Sequence, residues 1–306
     1  MDLSVCIATY RRPDRLSALL DDLVHQNLLP AEVIVVDNDA AGTARAAVER
    51  RIELGTPFPI HYAIQPVQNI ALTRNRTVEL ATRQWLAFID DDERAAPPWL
   101  ATLAAAATLY RADGVLGPVA PVVPPDAPGW IRRGTFYDWP RMATGAVIPA
   151  NRLRFGNVLL RRSALSGDPM PFNPAYGLTG GEDGEFLARL VQRGMRIIWC
   201  DEAVVREPVE PARLTLRWLL LRGLRGGQDF ARHTLAGSYG PATGVVRAWL
   251  LVRAVFQLAA ASVLTVAALP FGAHRAARWL IRASANLGKL SVFWGWHYRE
   301  YAGHAR

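Results

Sequence analysis

Over the first 120 residues, short apolar runs rich in β-branched residues alternate with stretches whose apolar positions recur at helical spacing. Leu3-Ser4-Val5-Cys6-Ile7-Ala8 reads as the opening strand. Pro13 and Asp14 start a helix in which Leu16, Leu19, Leu20, Leu23 and Val24 share one face. Val33-Ile34-Val35-Val36 predicts a buried strand, Ala41 to Leu54 a second helix and Ile60 to Ile64 a weaker third strand. Asn69 to Ala81 is helical by pattern, Trp85 to Ile89 is a strand, and the alanine-rich helix from Pro98 to Tyr110 leads to Val115-Leu116-Gly117. Pro118 to Pro149 holds no steady period and predicts a long ordered loop with Trp130, Phe136, Tyr137 and Trp139 interleaved. A strand over Asn157 to Arg162, a glycine segment entering a helix through Arg193, and a final strand over Met195 to Asp201 complete the pattern. Such alternation predicts an α/β, doubly wound, mostly parallel sheet with helices on both faces.

Polar residues gather where the strands stop. Asp37-Asn38-Asp39 ends one apolar run and Asp90-Asp91-Asp92-Glu93 ends another. Ligands bind beyond the carboxyl ends of the strands in these sheets, so both clusters are expected to face a single pocket. Adjacent acids repel one another unless a cation or hydrogen-bond donors offset their charge. Hard oxygen ligands select Mg²⁺ or Mn²⁺, which commonly shares its coordination sphere with nucleotide phosphates. An acidic helix start before Pro97-Pro98 is the competing reading. The chemistry that suits the metal reading is transfer onto a hydroxyl from a donor whose leaving group is a nucleoside diphosphate. A separate carboxylate must then take the acceptor proton. Asp183 and Glu182, in Gly180-Gly181-Glu182-Asp183, are the candidates, with simple helix capping as their alternative role.

Four ordered blocks, Ser4-Val5-Cys6-Ile7-Ala8-Thr9-Tyr10-Arg11, Val35-Val36-Asp37-Asn38, Phe88-Ile89-Asp90-Asp91-Asp92 and Gly180-Gly181-Glu182-Asp183, resemble the inverting family 2 glycosyltransferases of the GT-A fold. The resemblance runs from Leu3 to about Glu207. The later segments around Trp199 to Val205 and Leu214 to Leu220 look most like the succinoglycan-type exopolysaccharide glucosyltransferases. This likeness implies that Thr9 and Tyr10 line the nucleotide site and that Asn38 or Asp37 reads the base. It implies Asp90 and Asp92 as the outer acids of the metal motif, Asp92 foremost, with Asp91 near the ribose or donor sugar. Asp183 would be the general base, and Arg74, with Asn75 beside it, would contact the donor. Two departures stand out. Relatives often carry a histidine where this chain has Arg206, and arginine cannot ligate a cation, so Arg206 is assigned to a phosphate oxygen instead. Processive synthases carry a glutamine three residues before an arginine-tryptophan pair; here Leu214 precedes Arg217-Trp218, which favours addition of one sugar per encounter.

Charge changes the picture at the far end of the chain. Of 35 basic and 27 acidic residues among 306, residues 203–306 carry 14 basic and 4 acidic ones, and Lys289 is the only lysine. An arginine-rich surface of this kind suits phosphates or anionic headgroups. Nucleic acid is not expected as a partner, because no zinc-finger spacing, RNA-binding aromatic signature or basic zipper appears. Ala254 to Phe271 contains no charged residue and, at eighteen residues, reaches the minimum length for a bilayer span. Arginines on both sides disfavour a single crossing, which leaves a re-entrant hairpin or helices lying in the membrane surface. A core helix or dimer contact is the alternative. Cys6 and Cys200 are expected to be small buried residues, in keeping with a reducing cytoplasm, and Met1-Asp2-Leu3-Ser4 shows no secretory leader.

The expectation is therefore a catalytic domain over 1–235 and a basic, apolar, membrane-associated helical region over 236–306. The enzyme would move a sugar from a nucleotide-sugar donor, with uridine as the favoured base, to a polyprenyl-diphosphate-linked saccharide at the cytoplasmic face of the inner membrane. Arg222 and Arg225 are among the arginines available to the lipid phosphates. A metal-dependent nucleotidyltransferase and a catalytically silent glycan- or lipid-binding membrane protein are the rival readings. The nucleotidyltransferase is disfavoured by the lack of a glycine-rich, lysine-containing phosphate loop after the first strand.

Overall fold

The computed structural model describes residues 1–298; positions 299–306 of the C-terminal region lie outside the described residues. The chain forms two compact units. The first comprises Met1–Ala120 and Trp139–Glu207, and the second comprises Pro121–Asp138 and the chain from Pro208 onward.

The first unit follows the alternation expected from sequence: β1 (Leu3–Thr9), α1 (Pro13–Val24), β2 (Glu32–Asp37), α2 (Arg45–Glu53), β3 (Ile60–Ile64), α3 (Ile70–Leu80) and β4 (Trp85–Phe88). A two-residue strand β5 (Arg94–Ala95), α4 (Trp99–Leu109), β6 (Gly114–Leu116) and β7 (Val119–Val122) come next. After α5 (Gly129–Gly134), which belongs to the second unit, the chain returns through β8 (Val158–Arg161), α6 (Glu182–Gln192), β9 (Ile197–Trp199) and β10 (Val205–Pro208). Seven strands form one sheet in the order β3-β2-β1-β4-β8-β6-β9. The pairs among β1, β2, β3 and β4 are parallel, as is β6 with β9, while β8 runs antiparallel to both β4 and β6. The sheet is thus mostly parallel, as its apolar runs predict, with one reversed strand that no local pattern announces. In the stretch expected to be a continuous loop, Pro118 to Pro149, β7 and α5 form instead.

Each element has a local cause. Pro13 occupies the first turn of α1, where its missing N–H costs nothing. Leu16, Leu19, Leu20 and Leu23 on the inner face of α1 are fully buried against Val5, Ile7, Val33 and Val35 of β1 and β2. Burying each such side chain contributes about 1.5–3 kcal/mol. Asn69 caps α3 by accepting from the Leu72 amide at 3.0 Å. Helix α2 begins at Arg45 rather than Ala41 because the Asp37 carboxylate accepts the Ala44 N–H at 2.8 Å and holds residues 38–44 as a turn. Cys6 and Cys200 are free and buried, as expected.

In the second unit, α7 (Leu216–Leu235), α8 (Gly244–Ala268) and α9 (Ala273–Ser291) join α5. Residues 216–235, which sequence reasoning grouped with 1–235, lie in this unit. Ala127, Ile131, Tyr137, Val209 and Leu219 form its small core. Buried Gln228 donates to Ser291 Oγ at 2.7 Å, tying α7 to α9.

Candidate active site

The parallel register brings Thr9 at the end of β1 beside Asp37 at the end of β2. Strands β2 and β3 extend the sheet on one side of β1 and β4 on the other, so the connections diverge here. This is the crevice in which doubly wound sheets bind ligands. Thr9 Oγ1 donates across it to Asp91 Oδ2 at 2.8 Å. Tyr10 follows, partly exposed, with the Arg11 guanidinium 5.0 Å from its ring centre. Arg11 adopts a left-handed conformation, φ 53°, and its Nε reaches Asp39 Oδ2 at 3.0 Å.

Asp37 and Asn38 are turned inward. Asp37 is fully buried, and its oxygens accept the Asp39 N–H at 2.9 Å, the Ala44 N–H at 2.8 Å and the Tyr62 hydroxyl at 3.0 Å. Burial and the Asp37 carboxylate push the Tyr62 phenol well above its ordinary range. Asn38 donates to the carbonyls of Gln65 and Val67 at 2.9 and 2.6 Å and accepts the Asn69 N–H at 2.9 Å. Both residues therefore shape the loops around the crevice through their own hydrogen bonds.

The four acids after β4 occupy different environments. Asp91 and Asp92 are buried, and Arg12 Nη1 holds both, at 3.1 and 2.9 Å, with Arg15 3.6 Å from Asp92. Burial and Asp92 push the Asp91 carboxyl up to about 6, against the pull of Arg12 and Thr9. Glu93 is buried and accepts the Asp90 N–H at 3.2 Å. Its removal from water, and then the charges of Asp90, Asp92 and Glu207, raise its carboxyl well above the usual range. Asp90 keeps the largest side-chain exposure of the run, 42%. Gly156 closes the rear of this cluster. At φ +105°, it lies where an added Cβ would stand 2.5 Å from Glu93 Oε1 and 3.5 Å from Asp90 Oδ2.

Arg74 joins these acids to α6. Its guanidinium meets Glu182 Oε1 at 2.5 Å and Asp90 Oδ1 at 3.2 Å, and lies 4.3 Å from the Phe155 ring centre. Gly181, at φ 94°, lets the chain turn into α6 beside this group. Asp183, partly exposed, accepts the Gly184 N–H at 2.7 Å. It is near enough to Asp90 for its charge to act there. Desolvation raises the Asp90 carboxyl, Arg74 opposes this, and Asp92 and Asp183 add to it. Thr9, Asp90, Asp91, Asp92, Arg74, Glu182 and Asp183 thus converge from β1, β4, α3 and α6.

Arg206 is exposed on β10, paired with Arg94 of β5. Successive side chains of a strand point to opposite faces. Glu207, the next residue, is the one whose charge reaches Glu93. Sequence reasoning missed Arg12, Arg15, Gly156 and Glu207. The only signal for the two arginines is a basic stretch at the end of the strand that neighbours the acidic one.

Among the described residues, no three His, Cys, Asp or Glu side chains form a ready ligand group for a metal ion. The donors present nevertheless fit Mg²⁺ or Mn²⁺ arriving with a diphosphate. Such ions are held by one or two carboxylates and complete their shells with phosphate oxygens and water. Asp90 supplies a reachable hard oxygen, with Asp92 two residues away. Removal from water raises the Asp90 and Glu93 carboxyls first, and the neighbouring carboxylates add to it, so a cation at this cluster would offset charge that Arg74 opposes at Asp90.

A mostly parallel α/β sheet with acids at its switch point and a further carboxylate opening α6 defines a glycosyltransferase of the GT-A type. The chain belongs to glycosyl transferase family 2, whose family model matches residues 4–165. It is 37% identical over 302 residues to the succinoglycan biosynthesis protein ExoM of Rhizobium meliloti (strain 1021), covering 96% of this chain and 93% of that protein. The mannosyltransferase PcManGT from Pyrobaculum calidifontis, solved in complex with GDP-Man and Mn²⁺, shares the fold with a TM-score of 0.64 at 19% identity, covering 96% of this chain and 87% of that one. S. aureus TarS in complex with UDP-GlcNAc gives 0.56 at 17% identity, covering 98% and 93% respectively. The chain is a glycosyltransferase.

Proposed function

We propose that this enzyme transfers one sugar from a nucleotide-diphosphate sugar, with uridine as base, to a hydroxyl of a polyprenyl-diphosphate-linked saccharide in exopolysaccharide synthesis. Transfer inverts the anomeric configuration, and the protein works at the cytoplasmic face of the membrane. The observation that carries this reading is the pairing of partly exposed Asp183 with reachable Asp90 at one sheet edge. Proton acceptance and leaving-group binding then fall to different carboxylates.

Asp183 accepts the acceptor's hydroxyl proton as the oxygen attacks the anomeric carbon, and the bond to the diphosphate breaks on the opposite side. Glu182 anchors Arg74, which keeps Asp90 oriented toward the donor. Thr9 and Arg12 fix Asp91, and Arg12 and Arg15, each about one-third exposed, stand ready for phosphate oxygens as well as for Asp92. Asp90 and Asp92 would hold Mg²⁺ or Mn²⁺, which when bound offsets charge on the departing diphosphate. Tyr10 and the loop built by Asp37 and Asn38 border the nucleotide. Support for the donor class comes from the UDP-GlcNAc and GDP-Man complexes of the fold neighbours, and support for the pathway from the relative named for succinoglycan biosynthesis. Support for the membrane comes from Gly244–Phe271, which is long and apolar enough to cross one.

The test is a panel of nucleotide sugars with and without Mn²⁺, read by thermal shift and by product analysis. A UDP-sugar that stabilises the protein only with metal and releases UDP upholds the reading. Stabilisation and turnover with a nucleotide sugar of another base overturn the choice of uridine, and turnover indifferent to metal overturns the role given to Asp90 and Asp92.

A further inference from the structure

Helix α8 buries only a narrow stripe, Leu250, Ala254, Ala261 and Ala268, at one helical face. Val252, Phe256, Val263 and Val266 remain 67–74% exposed. Apolar surface of this extent on a water-soluble face marks a site that something covers.

Two features identify the cover and its geometry. The first is charge: Phe230 to Tyr298 contains no acidic residue, while Arg247, Arg253, Arg275 and Arg282 are exposed on α8 and α9. Trp249 is half-exposed with the Arg253 guanidinium 4.6 Å from its ring centre, and Arg282 lies equally far from Trp279. Arginine beside tryptophan is the composition of a headgroup layer contact. The second is register. A short turn at Leu269–Phe271 and Gly272 folds α9 back along α8, and Lys289 Nζ reaches Gln257 Oε1 at 3.4 Å. Counting from that contact sets Arg282, Arg278 and Arg275 level with the uncharged end of α8. Arg278 is moreover bonded there to the Gly134 carbonyl at 3.2 Å and Thr135 Oγ1 at 3.4 Å, beside α5. End-on insertion of the hairpin would therefore carry three arginines into hydrocarbon. Laid flat, α8 buries its apolar face at the acyl boundary and keeps exposed Arg247, Arg253 and Arg275 out of the hydrocarbon.

We infer that α8 docks lengthwise on an anionic bilayer surface, in the plane of the membrane, with the face opposite Leu250, Ala254 and Ala261 immersed and Arg247, Arg253 and Arg275 on lipid phosphates. This deepens the membrane reading above, on which it rests, and selects one of its two geometries.

The experiment uses the full chain and vesicles of phosphatidylcholine alone or mixed equally with phosphatidylglycerol. Co-flotation is expected with the anionic vesicles only, falling at least tenfold in Phe256→Glu/Val263→Glu and severalfold in Arg247→Gln/Arg253→Gln, with donor-dependent thermal shift unchanged in both. A fluorophore on Val263→Cys, specific because Cys6 and Cys200 are buried, is expected to be quenched most by nitroxides shallow in the acyl chain. Strongest quenching from the bilayer centre overturns the in-plane geometry while leaving membrane association standing. No flotation with either vesicle overturns both. A stable dimer in which the same label is shielded, with or without vesicles, assigns the face to a second copy and overturns the inference.

Discussion

Replacing Arg74 with methionine removes the side chain that links the two halves of the site. Arg74 and Glu182 have side-chain exposures of 9% and 4%, so their contact at 2.5 Å is a buried ion pair. Removing one partner of such a pair leaves the other charge uncompensated away from water, a loss of about 3–5 kcal/mol. The second contact, to 42%-exposed Asp90, is screened by solvent and adds no more than about 1 kcal/mol. Stacking on Phe155 at 4.3 Å is partly retained by the methionine. The expected destabilisation of Arg74→Met is therefore about 3–5 kcal/mol, dominated by stranded Glu182. Glu182→Met strands Arg74 to a lesser degree, because Asp90 remains to receive it. The double substitution Arg74→Met/Glu182→Met leaves neither charge buried and is expected to recover at least about 2 kcal/mol relative to the sum of the singles. Urea denaturation of the four proteins, followed by tryptophan fluorescence, measures this cycle. An interaction energy below about 0.5 kcal/mol, which is ordinary additivity, would refute the reasoning that Arg74 and Glu182 stabilise one another.

Three further outcomes are expected. Asp183→Asn should lower turnover by about 10²–10⁴-fold while retaining the donor-dependent thermal shift, whereas Asp90→Asn should weaken that shift; equal loss in both contradicts separate roles. Glu32 is held below the ordinary carboxylate range: burial alone would raise it, but Ser4 at 2.6 Å, the Thr82 N–H at 2.6 Å and hydroxyl, and the charge of Arg83 outweigh burial. Because the folded value is depressed, the stability it contributes is present above the unfolded pKa of about 4.5 and is lost as pH falls through the folded value. Glu32→Gln should therefore melt earlier at pH 7 and show a shallower fall in Tm below about pH 4.5 than the parent, and parallel curves would count against it. Gly156→Ala forces a Cβ toward Glu93 at φ +105° and should cost about 2 kcal/mol or more, whereas Gly226→Ala, inside α7 with nothing within 4 Å, should stabilise by about 0.4–1 kcal/mol.

The sequence by itself determined the elements and their polarity. Strands β1, β2 and β4 are legible because continuous apolar runs stop abruptly at Thr9, Asp37 and Asp90, and α1 is legible because its leucines recur with the helical period. The common edge for Asp37-Asn38-Asp39 and the acid run followed from polarity alone, since parallel strands share their carboxyl ends. The motif residues of α6 were legible as a glycine pair before acids. Only the tertiary structure decided which atoms face the crevice. Asp37 and Asn38 turn inward because the backbone amides of their loops need acceptors. Asp92 is sheltered by Arg12 while Asp90 is open, a distinction between neighbours of identical chemistry that depends on how α1 and β4 pack. The reversed direction of β8 set Gly156 against Glu93, and strand alternation turned Glu207 rather than Arg206 toward the acids. A local pattern carries the period of an element and its buried face. Contacts between residues as far apart as Arg74 and Glu182 depend on sheet order and register, which arise only when the elements pack together.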